Sequence, residues 1–503
     1  MKNTLQRSLL PIATLALLAA CTGDQGEQGI TPGPIFGDNA GGATGGDTGG
    51  GTGGSIGVGT GGGTGDGSGG DTGGGTGGGA GAGWTAAFGT CGEGVAIANE
   101  PRLFVRSEAE ADLEGEILNA AGDKLVFRSD GDPLGANPGY RQIFVCDDTA
   151  NSLAQLTQDP AVFPISKFQS FDIDGSGNRV LFESDLDITG GNPDEFSQLF
   201  IAASDGSSIT QVTANTAGRI LFPQISDDGS VIVFMSEGDL TGDNPDLHDQ
   251  IFRINSNGSG LAQVTAGTGG YFFSLNLSGD GSMITFRSTD DPLGTNADNS
   301  EEIFFISTDG TGLTQVTSIE DDQYNVSKPN LSNDGSILVF SSNANDLPLG
   351  DQGDSSKSYI TRTDTIDIKP VVPFNILGSV GGVRVSGNGE YIVFQSLPGL
   401  PAGPLTPGST VYWADVETLT IRQLLSAADL PDGLEPDNEG SPQISDNGDV
   451  IIFWSSRVYT DDAVSGADHV YIKNREWPKR THKECVAVPT AHAPDWSTDP
   501  GSS

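Results

Sequence analysis

Pro223 to Ser236 reads P-Q-I-S-D-D-G-S-V-I-V-F-M-S, and how this stretch is parsed decides the fold. Asp228-Gly229 tolerates the positive φ of a tight reversal, and the β-branched residues on either side favour extended backbone, so the stretch is expected to form a β-hairpin. The pattern recurs. Phe127, Phe182, Phe234, Phe286, Phe340, Phe394 and Phe453 each end an apolar run, each is followed two residues later by Ser, and consecutive copies lie 52 to 59 residues apart. Before each run comes a glycine turn, as in Gly175-Ser176-Gly177, Asp280-Gly281-Ser282 and Asn447-Gly448-Asp449.

Repeats two to four show the whole unit. After the hairpin comes a polar loop, then an aromatic strand (Gln198 to Ile201, Gln250 to Arg253, Glu302 to Phe305), a turn, and a last strand (Ile209 to Thr213, Leu261 to Thr265, Leu313 to Thr317). Four short strands per unit, here A to D, with no helical periodicity between units, exclude a parallel sheet with crossover helices and fit a propeller blade. The expected fold is therefore all-β, a seven-bladed β-propeller of four-stranded antiparallel blades, with six blades as the alternative because repeats five to seven are weaker. Leu103 to Arg106 precedes the first strand A by the usual D-to-A gap, and the last repeat shows no clear strand D. The N-terminal strand is thus expected to complete the last blade and close the ring.

The repeat D-G-S-x-I-V-F-x-S, followed by an aromatic strand and L-T-Q-V-T, resembles the TolB-type, or WD40-like (PD40), β-propeller repeat of bacterial envelope proteins. The resemblance covers roughly residues 114 to 473. It implies a TolB-like propeller used as a scaffold. The N-terminal α/β domain of TolB has no counterpart here; a different leader stands in its place.

That leader carries Lys2 and Arg7, an apolar core from Leu9 to Leu18, and Leu18-Ala19-Ala20-Cys21. It reads as a signal peptide over 1–20 and resembles a bacterial lipobox, which implies lipidation of Cys21; Thr22 in the next position implies an outer-membrane lipoprotein, facing the periplasm or the cell surface. The apolar core is too short for a stable span, so membrane contact is expected through the lipid alone. Residues 21–83 form a Gly-rich linker, G-G-D-T-G-G-G-T-G-G at Gly45 to Gly54, with too few apolar side chains to offset the entropy of ordering. About 60 such residues give a disordered tether with an r.m.s. reach of about 45 Å. The propeller is assigned to 84–477 and a tail to 478–503.

Lys plus Arg number 24 against 67 Asp plus Glu, a formal net charge of −43, which argues against nucleic acid as a partner. Besides Cys21 there are Cys91, Cys146 and Cys485; Cys91 and Cys485 flank the expected seam and are the expected disulfide. Strand alternation puts the A–B and C–D turns at one end of the propeller and the long B–C and D–A loops at the other. The long-loop end collects Asp130, Asp132, Asp185, Asp187, Asp194, Asp239, Asp243, Asp246, Asp249, Asp290, Asp291, Asp298, Asp346, Asp351, Asp354, Asp461 and Asp462. Within it Asp239, Asp243 and Asp246 are candidate Ca²⁺ ligands, and the alternative is loops that use Asp and Asn to cap turns.

Enzyme signals are sparse. Gly53-Gly54-Ser55-Ile56-Gly57 falls in the tether, where no strand-to-helix turn strains the serine. His248 and His469 read as surface residues, and His482, Cys485 and His492 lack the paired spacing of a zinc site. The expected function is a noncatalytic, monomeric binding scaffold for an envelope protein or glycan, with no cofactor beyond a possible Ca²⁺. The alternative is a propeller hydrolase or lyase that uses rim carboxylates as acid and base.

Overall fold

The fold was analysed in a computed structural model, which describes Ala87–Gly89, Arg102–Val105 and residues 113–474, apart from 130–133, 135–140, 159–169, 268, 321–325, 328, 349–354, 373–378, 397–408, 426–438 and 456–468. The signal peptide, Cys21, the glycine tether, Cys91 and the tail with His482, Cys485 and His492 lie outside the described residues.

Seven antiparallel sheets follow one another around a ring. Blade 1 runs from β3 (Leu113–Leu118) through β4 (Lys124–Ser129) and β5 (Gln142–Asp147) to β6 (Ser152–Gln155). Blade 2 begins at β7 (Phe171–Ile173), blade 3 at β11 (Leu221–Ile225) and blade 4 at β15 (Phe272–Leu277). Blade 5 begins at β19 (Asn330–Leu331), blade 6 at β23 (Val380–Val385) and blade 7 at β27 (Glu439–Ile444). Blade 7 continues through β28 (Val450–Ser455) and β29 (His469–Asn474), and β2 (Arg102–Val105) adds antiparallel to β29 as its fourth strand. Ring closure by the N-terminal strand is therefore as expected, and six blades are excluded.

The ring is held by what lies between its blades. Each of the seven apolar clusters joins two neighbouring blades; the one at the seam brings Leu125, Phe127 and Phe144 of blade 1 against Ile452, Val470 and Ile472 of blade 7. Within each blade the strand-B phenylalanine sits directly opposite an aromatic residue of strand C. Phe127 stacks on Phe144, Phe234 on Phe252 and Phe453 on Tyr471, at centroid separations of 5.4, 5.7 and 5.7 Å. Such pairs add about 0.5–1.5 kcal/mol each beyond the area they bury, which explains why the repeat holds this position aromatic in every copy.

The turn motif is framework in the same sense. Ser226 Oγ accepts from Val231 N–H at 3.0 Å and donates to Asp228 Oδ1 at 2.7 Å, while Gly229 takes φ +69°. The Ser332–Asp334 and Ser445–Asn447 turns repeat this network. A second clasp joins strands C and D: Thr265 Oγ1 donates to Gln250 and accepts from Ile251 N–H, as Thr213 does with Gln198 and Leu199. Because a threonine hydroxyl takes the place of a backbone rung, strand D is shorter than expected; in blade 3 it is Ala262–Gln263 rather than Leu261 to Thr265.

Two features depart from expectation. A fifth strand, β1 (Ala87–Gly89), adds to the outer edge of β6 in blade 1. Cys146, on β5, is disulfide-bonded, so it is not the unpaired thiol that a Cys91–Cys485 bridge implied; both of those cysteines lie outside the described residues.

Candidate functional site

The carboxylates of the long-loop end are mostly engaged inside their own loops. Asp239 Oδ1 accepts from Asn244 N–H at 2.9 Å, and the Asn244 amide spans the loop, donating to His248 O and accepting from His248 N–H. Blades 2 and 4 repeat the device with Asp187–Asn192 and Asp291–Asn296. Asp290 Oδ1 accepts from Asp291 N–H, Asp298 from Ser300 and Asp346 from Glu320 N–H. Asp243 and Asp246 are exposed. Among the described residues no group of three His, Cys, Asp or Glu side chains could hold a metal, so Asp239, Asp243 and Asp246 are not brought together as a Ca²⁺ site. Asp130, Asp132, Asp351, Asp354, Asp461 and Asp462 lie outside the described residues.

What the long-loop end does present is apolar. Phe196, Phe222, Leu247, Tyr271 and Leu293 are exposed there, in the B–C loops and strand-A entries of blades 2 to 4; Tyr271 is 67% exposed. Phe222 lies on a bulge of β11 and takes φ +51°, a conformation a bulky residue rarely adopts. Behind Tyr271 stands Phe273, at 6.2 Å, with the Arg287 guanidinium 4.7 Å from its ring. Arg287 pairs with Glu301 at 3.1 Å and donates to Val326 O; burial lowers the Arg287 pKa and raises that of Glu301. Burial, and then the charge of Glu237, likewise raises Asp249. The apolar sector is thus bordered by acids.

Inside the ring, one position of strand A, two residues before the turn serine or its equivalent, forms a belt: Ile117, Asp172, Gln224, Asn276, Asn330, Arg384 and Gln443. The short acceptors tie blade 2 to blade 3, blade 4 to blade 5 and blade 5 to blade 6. Asp172 caps Ile225 N–H at 2.8 Å, Asn276 caps Leu331 N–H at 2.8 Å and Asn330 caps Val385 N–H at 2.9 Å. Burial pushes the Asp172 carboxyl up to about 7 against the two backbone N–H bonds it accepts.

At the short-turn end the channel narrows to a floor. The second turn position is the one residue of the motif free of the turn network, and it reads Ala120, Gly175, Asp227, Gly279, Asn333, Gly387 and Asp446 around the ring. Asn333 Nδ2 donates to Asp227 Oδ2 at 2.6 Å and also to Asp446 Oδ2, so blades 3, 5 and 7 meet at the axis. The glycines make this possible, because a Cβ at Gly279 would overlap the Asp227 carboxylate and one at Gly387 would press on Asp446. Asp227 and Asp446 hydrogen-bond to each other, which requires a shared proton. Burial and then the Asp446 charge push Asp227 up to about 7, and burial raises Asp446.

Reading the turn as framework is correct for Ser226, Asp228 and Gly229 but misses Asp227. The available signal was that this turn position alternates between Gly or Ala and the longer polar Asp or Asn, while the glycine two residues on is the same in all seven turns. The belt left a similar trace, a polar residue at a fixed offset within an apolar strand.

No protein-family model and no curated protein matches the sequence. Solved structures do. An oligogalacturonate lyase from Vibrio parahaemolyticus is 13% identical, with a TM-score of 0.49 over 78% of this chain and 97% of its own. A putative TolB from Agrobacterium tumefaciens is 17% identical, with a TM-score of 0.37 over 65% and 94%. The β-propeller domain of the trilobed protease from Pyrococcus furiosus is 10% identical, with a TM-score of 0.44 over 75% and 100%. At these identities the likeness concerns fold alone; TolB proteins are among the similar folds, and the seven-bladed ring itself rests on this chain's own strand pairing.

Proposed function

We propose that the propeller is the noncatalytic binding head of a lipid-anchored envelope protein, held to the outer membrane through Cys21 and docking another envelope component on the long-loop face of blades 2 to 4. One observation carries this reading. Of the six large apolar side chains exposed among the described residues, five (Phe196, Phe222, Leu247, Tyr271 and Leu293) fall on that one sector; the sixth, Leu261, lines a 730 Å³ cavity at the outer edge between blades 2 and 3. Exposed apolar side chains gathered on one sector and bordered by charge fit a protein-docking site. With Asp249, Glu237 and Glu301 beside it, the sector fits a partner protein that brings basic and apolar side chains; a glycan stacking on Tyr271 and Phe222 is the other occupant.

A photo-crosslinking amino acid placed at Tyr271 in intact cells is expected to yield a discrete, protease-sensitive adduct, and the same probe at Leu261 none. Adducts at both positions or at neither overturn the reading, and a protease-resistant adduct transfers it to a glycan. Cys21→Ser is expected to release the protein from membranes. Protease shaving of intact cells then assigns the side, with loss of the propeller meaning surface display and protection a periplasmic scaffold.

A further inference from the structure

The joints between neighbouring blades are not tied alike. At the short-turn end a backbone hydrogen bond links each turn to the turn of the next blade at every step of the ring but one. Gly175 N–H donates to Asp227 O at 3.0 Å, Asp227 N–H to Gly279 O at 2.8 Å and Asp280 N–H to Asn333 O at 2.8 Å. Asn333 N–H then donates to Gly387 O, Asn388 N–H to Asp446 O, and Asp446 N–H to Ala120 O. The step without such a bond is the one from blade 1 to blade 2: among the described residues neither Ala120 N–H nor Ala121 N–H donates to Gly175.

Side-chain ties fail at the same place. Belt residues cap the next blade at the joints 2 to 3, 4 to 5 and 5 to 6, and Asn276 Nδ2 donates to Gln224 Oε1 at 3.1 Å across the joint 3 to 4. Ser441 N–H donates to Gln395 Oε1 at 2.9 Å across the joint 6 to 7, and Gln443 Nε2 to Glu116 O across the joint 7 to 1. In blade 1 the belt residue is Ile117, which has no polar atom to offer. The N–H it would cap, that of Ile173, is met from inside blade 2 by Asp172 Oδ1 at 2.9 Å. Among the described residues one hydrogen bond crosses this joint, from Lys124 Nζ to Asn178 Oδ1 at 3.4 Å, and it is exposed.

Blade 1 is therefore held to blade 2 by apolar contact. Its layer, with Val126 and Leu156 against Ile173 and Ala202, is buried like the layer between blades 5 and 6, where Val339 and Ile360 face Val385 and Ala414. Apolar burial has no preferred direction, whereas each hydrogen bond fixes the distance and angle between two turns. Of two comparable apolar layers, the one without directional ties opens at the lower free energy.

We propose that the ring parts at the joint between blades 1 and 2, which forms a side entrance to the channel while the other joints stay shut. The inference depends neither on the lipid anchor nor on the docking sector.

Matched buried thiols test it. Val126→Cys and Ala202→Cys place a thiol in each wall of the layer between blades 1 and 2, and Val339→Cys and Ala414→Cys place one at the same strand positions between blades 5 and 6. All four parent side chains are 0% exposed. Iodoacetamide labelling of the folded full chain, read at each site by mass spectrometry, is expected to be about tenfold faster for the first pair, the factor that roughly one hydrogen bond supplies. Adding Asn330→Ala, which removes the cap on Val385 N–H, is expected to speed labelling of the second pair by about the same factor and to leave the first pair unchanged. Global unfolding exposes all four thiols alike, so equal rates overturn the proposal. Faster labelling of the second pair, a difference confined to one wall, or no response of the second pair to Asn330→Ala overturns it as well.

Discussion

The two ends of the channel handle carboxylates in opposite ways. At the long-loop end Asp187, Asp239 and Asp291 each bond to a backbone N–H five residues on, inside their own loop. At the short-turn end Asp227 and Asp446 come from blades 3 and 7 and meet across the axis through Asn333. The first arrangement shapes a loop, and would do so in an isolated blade. The second exists only when the ring is closed. Carboxylate density along the sequence therefore points to the wrong end: abundance marks local loop architecture, whereas a few acids at a repeated turn position mark the place where distant blades converge.

The contrast can be broken by mutation. Asn333→Ala removes the bridge and leaves two partly buried acids facing each other, so a loss of about 3 kcal/mol in denaturant-measured stability is expected. An unchanged midpoint would show that the floor is not a joint. Asn244→Ala, at the other end, is expected to cost about 1–2 kcal/mol and to loosen only its own loop, as read by hydrogen exchange at Asp239 to His248. Exchange spreading to other blades would erase the distinction between local and convergent acids.

pH separates the ends further. Asp172 and Asp227 hold a proton up to about 7 in the ring against a reference value of 3.8, so the folded chain binds more protons than the unfolded one between these values. Their contribution is fully present below about pH 4 and is lost as pH rises through 7; raised Asp249, Glu301 and Glu302 act in the same sense. The lowered turn carboxylates, Asp228 and Asp334 among them, act oppositely and only as pH falls through the acid range. Melting temperature is thus expected to fall from pH 5 to pH 8, and Asp227→Asn to flatten that slope. The smallest effect is assigned to Asp243→Asn and Asp246→Asn, both exposed, which are expected to leave stability unchanged; a clear loss from either would return weight to a cation at that loop.

Much of this architecture was legible. Period, turn glycine and strand-B phenylalanine all act within one unit of roughly 50 residues, and local signals of that kind repeat visibly. The Asp-x4-Asn clasp was equally visible in Asp187–Asn192, Asp239–Asn244 and Asp291–Asn296; for the Asp239 loop, capping by Asp and Asn stood beside Ca²⁺ ligation because both chemistries use the same residue types, and only the hydrogen bonds of Asn244 separate them. The floor was hidden for a different reason. Nothing in the spacing of Asp227, Asn333 and Asp446 says that alternate blades meet, since that depends on the ring's radius and on glycine at the intervening turns. The strand β1 was hidden because Ala87-Phe88-Gly89 carries almost no pattern; the edge of β6 selects it.

Ring closure also sets a clock. Leu103 pairs with Tyr471, so the strand that seals blade 7 is made roughly 370 residues before its partner. At about 5–20 residues per second, β2 waits on the order of 20 to 70 seconds for β29 to exist. Throughout that interval it is an unpaired edge. The last event of assembly is thus built from one of the first segments synthesised, and whatever keeps Arg102–Val105 from pairing early governs how many chains reach a closed ring.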